Sequence, residues 1–407
     1  MSDKIMIAMS GGVDSSVTAY LCMQQNLQKY KDVKANGSAN VDDDNAIESS
    51  IDDANKASSN VIDNIAASIV GSGNTINSNV VDGNTVGSNV AGATMKLMDD
   101  YDPSDAEKIA DTLGIPFYVF DFREQFESCV IKPFIDTYSA GATPNPCVEC
   151  NRFLKFDLFY ERMRELGYDK LATGHYARVE YSEKYQRFVL KKALNLAKDQ
   201  SYVLYSLTQA QLENTYFPLG EMSKEEVREI ASLQGFENAN KKESQDICFV
   251  PDGDYSKYIE EHTDEKFPEG DFVDLDGNVL GRHKGIIRYT IGQRKGLGLA
   301  LPQPMYVCRK DVEENKVVLC LNDELFKRTV IADNINLMTV DRIHDSMDVK
   351  AKIRYNQVEQ SATVTQPDED TLKIVFDEPQ RAIAKGQSVV MYDGDIVVGG
   401  GTILNGY

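Results

Sequence analysis

The sequence predicts an α/β protein: a doubly wound parallel sheet at the N-terminus, then a small central domain and a C-terminal all-β barrel. Three observations lead to this prediction. A short apolar run, a glycine turn and an amphipathic helix open the chain. Apolar strands and helices then alternate up to residue 215, and after residue 297 hydrophobic residues recur with a period of two. We therefore expect domains at residues 1–215, 216–296 and 297–407.

The first unit of the predicted sheet is a strand followed by a glycine turn and a helix. Residues 5–9 form a continuous apolar run, typical of a strand that is buried on both faces. Residues 10–16 read Ser-Gly-Gly-Val-Asp-Ser-Ser. In the helix that follows, Val13, Val17 and Tyr20 share one face. A doubly wound domain begins in this order.

An abrupt change in composition interrupts this pattern between residues 34 and 90. The segment is rich in Asn, Ser, Asp, Ala and Gly and has no aromatic residue. It holds eight acidic residues and two lysines, so it contributes −6 to the net charge. Such a segment cannot bury enough apolar surface to offset the entropy lost on ordering. We expect a low-complexity insertion that is disordered or loosely structured.

The alternation of strands and helices resumes at residue 91. One helix carries clear signals at its ends, because Asp102 is placed to cap it, Pro103 suits its first position and Gly114 suits its termination. Further strands are predicted at residues 91–97, 117–120 and 170–173, and further helices at residues 154–166 and 223–235.

The C-terminal region alternates apolar and polar residues in short runs. Turn residues separate these runs, which is typical of a small all-β barrel. The predicted strands are residues 316–320, 349–355, 372–376, 388–392 and 395–398.

Composition and charge narrow the class of protein. Of 407 residues, 42% are hydrophobic and 26% charged, as in soluble globular proteins. No stretch approaches the ~18 uninterrupted apolar residues of a membrane helix. We also find no targeting segment before the first strand, so we expect a cytoplasmic protein with no membrane partner. The net charge of −21 disfavours a uniformly basic nucleic-acid binder but permits local basic patches. The candidate patches are Lys191-Lys192, Lys241-Lys242, Arg282-His283-Lys284, Arg294-Lys295, and Lys350 with Lys352 and Arg354.

The Ser-Gly-Gly-x-Asp-Ser turn has the features of a phosphate-binding loop. Glycines let the backbone approach phosphates, and the helix N-terminus adds N–H groups and partial positive charge. Ser10 and Ser15 can donate to the same oxygens, and Asp14 can orient the loop or hold Mg²⁺. The turn lacks the Gly-Lys-Ser/Thr of a Walker A loop. An ordinary turn that needs two glycines is the alternative interpretation.

This turn resembles that of the PP-loop ATP pyrophosphatases, which split ATP between its α- and β-phosphates. The resemblance implies adenylation of a substrate oxygen. The turn alone does not choose among the amidotransferases, ligases and tRNA-modifying enzymes of that superfamily.

Three cysteines carry the second part of the predicted chemistry. Cys147 and Cys150 lie in a loop stiffened by two prolines, and Cys248 follows Lys241 and Lys242. Nearby positive charge lowers the pKa of a thiol. Transfer of sulfur from a persulfide needs one thiol to carry the sulfane sulfur and a second to release it. Cys248 and Cys150 would supply this pair if the fold brings them together.

Three other interpretations of these cysteines compete with persulfide chemistry. An iron–sulfur cluster held by Cys147, Cys150 and Cys248 would leave one iron open for substrate sulfur. Three buried thiols without a chemical role are also compatible with the spacing. A zinc site is disfavoured, because none of the four histidines lies at ligand spacing.

With these cysteines the chain resembles the tRNA-specific 2-thiouridylase family, whose members replace the 2-oxygen of the wobble uridine with sulfur. The resemblance covers nearly the whole chain outside residues 34–90. Its markers are the glycine turn, the Asn-Pro-x-x-x-Cys-Asn loop at residues 145–151, and residues 94–97, 172–176, 198–202, 243–249, 292–298 and 354–355.

The resemblance implies roles for individual residues. Cys150 would be the nucleophile and Cys248 the persulfide carrier. No metal site made by protein side chains is implied, and Mg²⁺ would accompany ATP. The ATP-binding residues would be Ala8, Met9, Ser10, Gly11, Gly12, Val13, Asp14, Ser15, Met95 and Gly174. Asn145, Pro146 and Cys147 would frame the target base, and tRNA would be contacted by His175, Lys198, Asp199, Gln200, Arg354, Tyr355 and Gln387.

The resemblance also implies partners, namely tRNA and a sulfur donor that is either a persulfide carrier protein or a cysteine desulfurase relay. Two departures from the family pattern matter. Some members carry an acid where this chain has Cys147, so the acid–base assignment stays open. The insertion precedes the strand that ends near Met95, and we expect it to loop out without breaking the nucleotide site. The alternative functions are a PP-loop ligase or amidotransferase acting on a small molecule, a cluster-dependent tRNA thiolase, and a non-catalytic RNA-binding module.

Overall fold

The computed structural model describes residues 4–36, 89–240 and 247–407. Most of the low-complexity insertion lies outside the described residues, and so do Lys241 and Lys242. Within the described residues the strands form three sheets, of five, four and eight strands. The strands are β1 (Ile5–Ala8), β2 (Val90–Lys96), β3 (Phe117–Asp121), β4 (Lys170–Thr173), β5 (Ala177–Ser182), β6 (Arg187–Lys192), β7 (Thr215–Tyr216), β8 (Gly270–Val273), β9 (Val279–His283), β10 (Tyr306–Asp311), β11 (Lys316–Cys320), β12 (Phe326–Leu337), β13 (Ser346–Lys352), β14 (Gln360–Thr365), β15 (Leu372–Arg381), β16 (Ser388–Asp393) and β17 (Ile396–Gly406).

A five-stranded parallel sheet forms the N-terminal domain, as predicted. Its spatial order is β3-β2-β1-β4-β7, so β1 lies at the centre. On β1, Ile5 and Ile7 face one hydrophobic cluster and Met6 faces another. The strand is a continuous apolar run because both of its faces are buried.

Helices pack on both faces of this sheet. One helix begins at Ser104, so Pro103 lies at its N-cap and not at its first helical position as predicted, although the Asp102 carboxylate still accepts the N–H of Ser104 at 2.9 Å. Gly114 ends this helix with a φ of +64°, as predicted. The predicted helix at residues 154–166 starts earlier, and its first part has π-helical hydrogen bonding. The helices are α1 (Val13–Asn36), α2 (Ser104–Leu113), α3 (Arg123–Phe126), α4 (Lys132–Ser139), α5 (Pro146–Glu149), α6 (Phe159–Glu165), α7 (Gln209–Glu213), α8 (Lys224–Leu233) and α9 (Tyr255–Glu261), with π-helical segments at Glu127–Ile131 and Cys150–Leu158 and short 3-10 turns at Ser201–Leu204, Glu237–Asn240, Ile286–Arg288 and Asn322–Leu325.

The central region contains α8, α9 and a four-stranded sheet of order β10-β11-β8-β9. Ser223 and Glu226 form a capping box at the start of α8, which confirms the predicted helix there. The sequence groups residues 316–320 with the C-terminal barrel, but this strand pairs in parallel with β8. A hydrophobic period of two identifies a strand. Which other strand pairs with it depends on the path of the chain in three dimensions, and the period does not reveal that path.

A closed six-stranded antiparallel barrel forms the C-terminal part, as predicted. Its order is β12-β15-β14-β13-β16-β17, and pairing between β12 and β17 closes it. Ile374, Val389 and Ile403 are fully buried inside it. The β5–β6 hairpin extends this sheet from the N-terminal domain, with Ile396 opposite Lys191. The barrel is therefore attached to the domain that carries the glycine turn.

None of the helices in the part of the chain that the structure describes is long and apolar enough to cross a membrane.

Candidate active site

The turn between β1 and α1 is closed by the hydroxyl of Ser15. This hydroxyl donates to the carbonyl of Gly12 at 3.0 Å, and it accepts the backbone N–H of Ser10 at 3.2 Å. Gly11 has a φ of +72°, and a Cβ there would lie 2.9 Å from the Cβ of Asp105, so the position favours glycine. Of the two predicted serine donors, Ser15 is buried and shapes the turn, whereas Ser10 is exposed.

Asp14 is held by two groups from distant parts of the chain. The Lys224 ammonium lies 2.7 Å from Oδ1 and 2.8 Å from Oδ2, and the Tyr176 hydroxyl donates to Oδ1 at 2.8 Å. The Lys224 side chain is only 3% exposed. Asp14 therefore orients the loop, which is one of its two predicted roles. Both of its oxygens accept hydrogen bonds, Oδ1 from Tyr176 and Lys224 and Oδ2 from Lys224.

Asn238 fixes the same turn from the opposite side. Its side-chain amide donates to the carbonyl of Gly11 at 3.0 Å and to the hydroxyl of Ser16 at 2.8 Å. Asn238 is buried in a short 3-10 turn after α8. Sequence reasoning missed both Lys224 and Asn238, because no local pattern distinguishes them from ordinary surface residues.

The predicted ATP-binding residues meet at the carboxyl edge of the parallel sheet. Ala8 pairs with Ala93 on one side and with Thr173 on the other, so β1, β2 and β4 end side by side. Met95 lies near the end of β2, and Gly174 follows β4. A Cβ on Gly174 would lie 3.0 Å from the Asp14 carbonyl carbon, so the backbone there packs directly on the turn. Ligands of open α/β sheets bind at this edge.

Cys147, Cys150 and Cys248 lie close enough for their charges to interact, and all three are free thiols. Burial raises the pKa of Cys150 to about 11; Lys155 acts against this shift, and the other two thiols add to it. Cys147 and Cys248 are more exposed than Cys150, but the protein atoms around their sulfurs still remove enough water to raise the pKa values of both thiols. The lowered pKa expected for Cys248 is therefore not found, because burial outweighs the one described cation nearby.

Lys155 supplies the positive charge at the three thiols, and sequence reasoning missed it. It lies in the π-helical segment that begins at Cys150, where the N–H of Phe159 bonds to the carbonyl of Leu154, five residues back. Hydrogen bonds of this span bring residues five apart close to the same side of the helix. Lys155 therefore faces the thiol of Cys150. Among the described residues, it makes no hydrogen bond or ion pair that would neutralise its charge.

His175 follows Gly174, which packs on the glycine turn, and it lies within electrostatic reach of Lys155. Its ring lies 5.9 Å from the ring of Phe156 and 5.9 Å from that of Phe217. Its Nδ1 lies 2.7 Å from the hydroxyl oxygen of Thr173. Burial lowers the pKa of His175 well below its ordinary value, and the charge of Lys155 adds to the shift. The imidazole is neutral at physiological pH and leaves Lys155 as the cation of the site.

The two segments predicted to contact tRNA lie together. The Tyr355 hydroxyl donates to the carbonyl of Asp199 at 3.0 Å, and Tyr355 is close enough to Cys147 for the two side chains to interact electrostatically. The Asp199 carboxylate accepts the N–H of Ala193 at 3.0 Å and the hydroxyl of Ser201 at 2.8 Å. Lys198 is half-buried beside it, and Tyr355 is 40% exposed. The structure thus brings the two segments together, with Tyr355 near the thiol of Cys147.

Other predicted tRNA contacts use their polar groups inside the protein. The side-chain oxygen of Gln200 accepts the N–H of Tyr176 at 2.9 Å. The guanidinium of Arg354 donates to the carbonyl of Ala382. The side-chain amide of Gln387 donates to two carbonyls in the loop that leads to Asn145 and Pro146.

Several basic clusters considered for phosphate contacts are paired within the protein. At a net charge of −21, lysines and arginines meet carboxylates readily, so proximity in sequence does not make a free basic patch. Lys352 lies over three tyrosine rings, at 5.3 to 5.8 Å. Arg294 and Lys295 are exposed and, within the described residues, unpaired. Ion pairs join Lys191 to Glu180, Lys192 to Glu359 and Arg282 to Asp271, at 2.8, 2.6 and 2.7 Å.

The three thiols were also considered as ligands of a cluster. Within residues 4–36, 89–240 and 247–407, no three His, Cys, Asp or Glu side chains lie close enough together to hold a metal ion. As they stand, the thiols interact electrostatically without forming a set of ligands around one centre.

Family models match the chain in three parts. A tRNA methyl transferase HUP domain matches residues 3–82 and 84–252. A tRNA methyl transferase PRC-barrel domain matches residues 256–321, and an aminomethyltransferase beta-barrel domain matches residues 327–403. The PRC-barrel match at residues 256–321 includes β8 to β11, which are the four strands of the central sheet.

Curated relatives match along the whole chain. The tRNA-specific 2-thiouridylase MnmA of Clostridioides difficile (strain 630) is 44% identical over 99% of this chain and 98% of its own. The protein of the same name from Acetivibrio thermocellus is 47% identical over 77% of this chain and 91% of its own. Among solved structures, the chain is similar to the U34-tRNA thiolase NcsA from Methanococcus maripaludis with its 4Fe-4S cluster. The match covers 64% of this chain and 67% of that chain, at 15% identity. Its TM-score is only 0.31, so no conclusion about function follows from it. On the full-length matches, the chain belongs to the tRNA-specific 2-thiouridylase family.

Proposed function

We propose that this protein uses ATP to replace the 2-oxygen of the wobble uridine of tRNA with sulfur, which it carries as a persulfide. The observation that carries this proposal is the meeting of Cys150 and Cys248 around Lys155, beside the strand end that packs on the glycine turn. An activating loop and a pair of thiols are the two parts that such a reaction needs. The relatives from Clostridioides difficile and Acetivibrio thermocellus are tRNA-specific 2-thiouridylases, which supports a tRNA uridine as the substrate.

ATP would bind at the carboxyl edge of the parallel sheet. The exposed Ser10 and the start of α1 offer donors to its phosphates, and the absence of a side chain at Gly174 lets the neighbouring backbone close on the turn. ATP would adenylate the uridine O2, with release of pyrophosphate, because a carbonyl oxygen is a poor leaving group and AMP is a good one. Mg²⁺ would accompany the ATP phosphates, and no step of the proposal depends on a protein ligand to that ion.

The sulfur would reach the uridine by a thiol–disulfide step. Cys248 carries the sulfane sulfur, received from a persulfide carrier protein or a cysteine desulfurase. The Cys150 thiolate attacks the Sγ of Cys248, a disulfide forms between them, and the sulfane sulfur leaves with the bonding electron pair as hydrosulfide. Hydrosulfide attacks C2, and AMP departs with the former O2. A thiol reductant then returns the disulfide to two thiols.

Lys155 would stabilise the negative charge in this step. In this step the negative charge passes from the Cys150 thiolate to the hydrosulfide that leaves Cys248. Both cysteines interact with the Lys155 ammonium, which makes no ion pair with a carboxylate among the described residues. A fixed charge in a partly buried site stabilises such an anion more than water-screened charges do. Tyr355, which is near Cys147 and exposed, would meet a base that has left the anticodon stack.

The test supplies ATP, Mg²⁺, a persulfide donor and unmodified tRNA, and it measures the digested nucleosides by mass. We expect 2-thiouridine from the wild type and none from Cys150→Ser or Cys248→Ser, while both variants still release pyrophosphate when tRNA is present. Cys129→Ser, at a half-buried cysteine outside the site, is the matched control and should act as wild type.

Three outcomes would contradict the proposal. Methylated in place of thiolated uridine would favour tRNA methyl transfer as the reaction. Pyrophosphate release with a small molecule and without tRNA, unaffected by either cysteine change, would favour a ligase or amidotransferase. A cluster absorption band in anaerobically prepared protein, lost together with activity in Cys147→Ser, would favour the cluster-dependent thiolase.

A further inference from the structure

The C-terminal barrel is hydrogen-bonded to the loop that carries Cys147 and Cys150. The N–H of Thr143 donates to the carbonyl of Lys385 at 2.8 Å. The side-chain amide of Gln387 donates to the carbonyl of Thr143 at 3.2 Å and to that of Pro144 at 2.9 Å. We call residues 385–387 the barrel clamp. It satisfies the main-chain groups immediately before the thiol-bearing segment.

The barrel clamp is itself fixed to the core of the barrel. The N–H of Gly386 donates to the carbonyl of Ile403 at 2.8 Å, and the N–H of Ile403 donates to the carbonyl of Gln387 at 2.7 Å. Ile403 lies on β17 and is fully buried. A displacement of the clamp would therefore require displacement of a core strand, so the clamp is a stiff support.

The approach of the clamp to the thiol loop is unusually close. Gly386 has a φ of +88°, and a Cβ there would lie 2.9 Å from the carbonyl oxygen of Thr143 and 3.1 Å from Cγ2 of Thr137. The clamp thus touches the loop through backbone as well as through Gln387. A side chain at position 386 would push the loop away.

The other end of the thiol segment is anchored next to the same part of the barrel. Asn151, which follows Cys150, is 1% exposed and donates to the carbonyl of Val203 at 2.9 Å. The neighbouring Tyr202 donates its hydroxyl to the carbonyl of Ser388 at 2.7 Å. Residues 387 and 388 therefore support both ends of the segment that holds Cys147 and Cys150.

We propose that Gln387 is a positioning residue: with Gly386 and Lys385 it sets the place of Cys150 before any RNA is bound. The C-terminal barrel is then part of the catalytic apparatus in addition to any RNA contact that it makes. The inference rests on the proposed function only in taking Cys150 as a reacting group, because the contacts themselves do not involve tRNA.

The test measures the loop without tRNA or ATP. In Gln387→Ala we expect amide hydrogen exchange over residues 143–150 and alkylation of Cys150 by iodoacetamide to become several-fold faster than in the wild type. Gly386→Ala should act in the same direction while retaining the Gln387 amide, so it separates the clamp from RNA recognition. Gln366→Ala is the matched control: its side chain accepts the N–H of Ile343 at 2.9 Å elsewhere in the barrel, and it should leave both rates unchanged.

Steady-state kinetics complete the test. With tRNA, we expect Gln387→Ala to lower kcat by about tenfold with little change in KM, because a misplaced nucleophile slows chemistry more than binding. The proposal is overturned if exchange and alkylation match the wild type without tRNA while KM for tRNA rises, since Gln387 would then be an RNA contact only. If the wild type forms no 2-thiouridine, the proposed function fails, but exchange and alkylation still decide the role of the clamp. Should Gly386→Ala not fold, Gln387→Ala decides it alone.

Discussion

The Lys224 ammonium lies 2.7 and 2.8 Å from the two carboxylate oxygens of Asp14, although 210 positions separate the residues. Asp14 belongs to the first turn of α1, and Lys224 begins α8. The pair thus ties the helix of the central region to the loop proposed to hold ATP. With Tyr176 on the same carboxylate, it fixes the loop from two sides.

Replacing Lys224 with Met should destabilise the protein and weaken ATP binding. Removing the Lys224 ammonium leaves the Asp14 carboxylate without its ion-pair partner, which should lower the free energy of unfolding by about 3 kcal/mol. This value is near the low end for buried ion pairs, because the Asp14 side chain is 31% exposed. Urea unfolding and calorimetric titration with ATP measure the two effects. Lys257→Met, at a lysine that pairs with Asp252 on the surface at 3.5 Å, is the control and should change neither. A free energy of unfolding equal to that of the wild type would refute the expectation.

The reactivity of Cys150 should rise steeply with pH up to about 11, its pKa, because only the thiolate is nucleophilic. In Lys155→Met the pKa should rise further and alkylation near pH 8 should slow several-fold, since the cation that favours the thiolate is gone. Lys155→Arg should stay close to the wild type. Iodoacetamide rates for the Cys150 peptide, followed by mass spectrometry over a pH series, give the profiles. Lys132→Met is the control for net charge, because it removes an exposed lysine that pairs with Asp136. If Lys155→Met and the wild type gave the same pH profile, Lys155 would not lower the pKa of Cys150.

His175 should make the protein less stable in mild acid. Its pKa is lower in the folded chain than the ordinary value of 6.5, so the unfolded chain binds the proton more tightly. Its contribution to stability is therefore complete above pH 6.5 and is lost as pH falls below that value, by at most about 1.4 kcal/mol per pH unit. His175→Gln should flatten the dependence of unfolding free energy between pH 7 and pH 5, whereas His262→Gln, at an exposed histidine, should not. The same slope in all three proteins would mean that His175 is not the group responsible.

Gly174→Ala should impair ATP binding more than stability. Its Cβ would lie 3.0 Å from the Asp14 carbonyl carbon and 3.1 Å from the Ser15 nitrogen, so the turn must shift by a few tenths of an ångström. We expect roughly tenfold weaker ATP binding, because misplaced donors lose about one hydrogen bond to a charged group. Gly235→Ala is the control. Gly235 has a φ of +68°, and a Cβ there would have no neighbour within 4 Å. The variant should therefore lower the free energy of unfolding by about 1 kcal/mol and leave the affinity for ATP unchanged. Equal ATP affinity in the wild type and Gly174→Ala would argue against nucleotide binding at this turn.

Features that depend on neighbours in the chain could be predicted from the amino-acid sequence. The apolar run of β1, the glycine turn and the cap signals of α2 and α8 are visible because each acts over a few residues. The β-strands of the barrel follow from alternation, and the neighbouring prolines and lysines, together with the family resemblance, singled out Cys147, Cys150 and Cys248 among the seven cysteines. The π-helical start of the segment after Cys150 was not visible, because an apolar pattern does not reveal one extra residue in a turn.

Which distant groups share the site became known from the folded chain alone. Lys224 and Asn238 reach the glycine turn, Lys155 faces all three thiols, and Gln387 holds the thiol loop, yet none of these has a local signature. The thiols are also less acidic than their lysine neighbours suggested, because burial depends on the packed fold and here outweighs charge. Sheet order and domain packing bring such residues together, and both arise from contacts far apart in the chain, which sequence spacing does not encode.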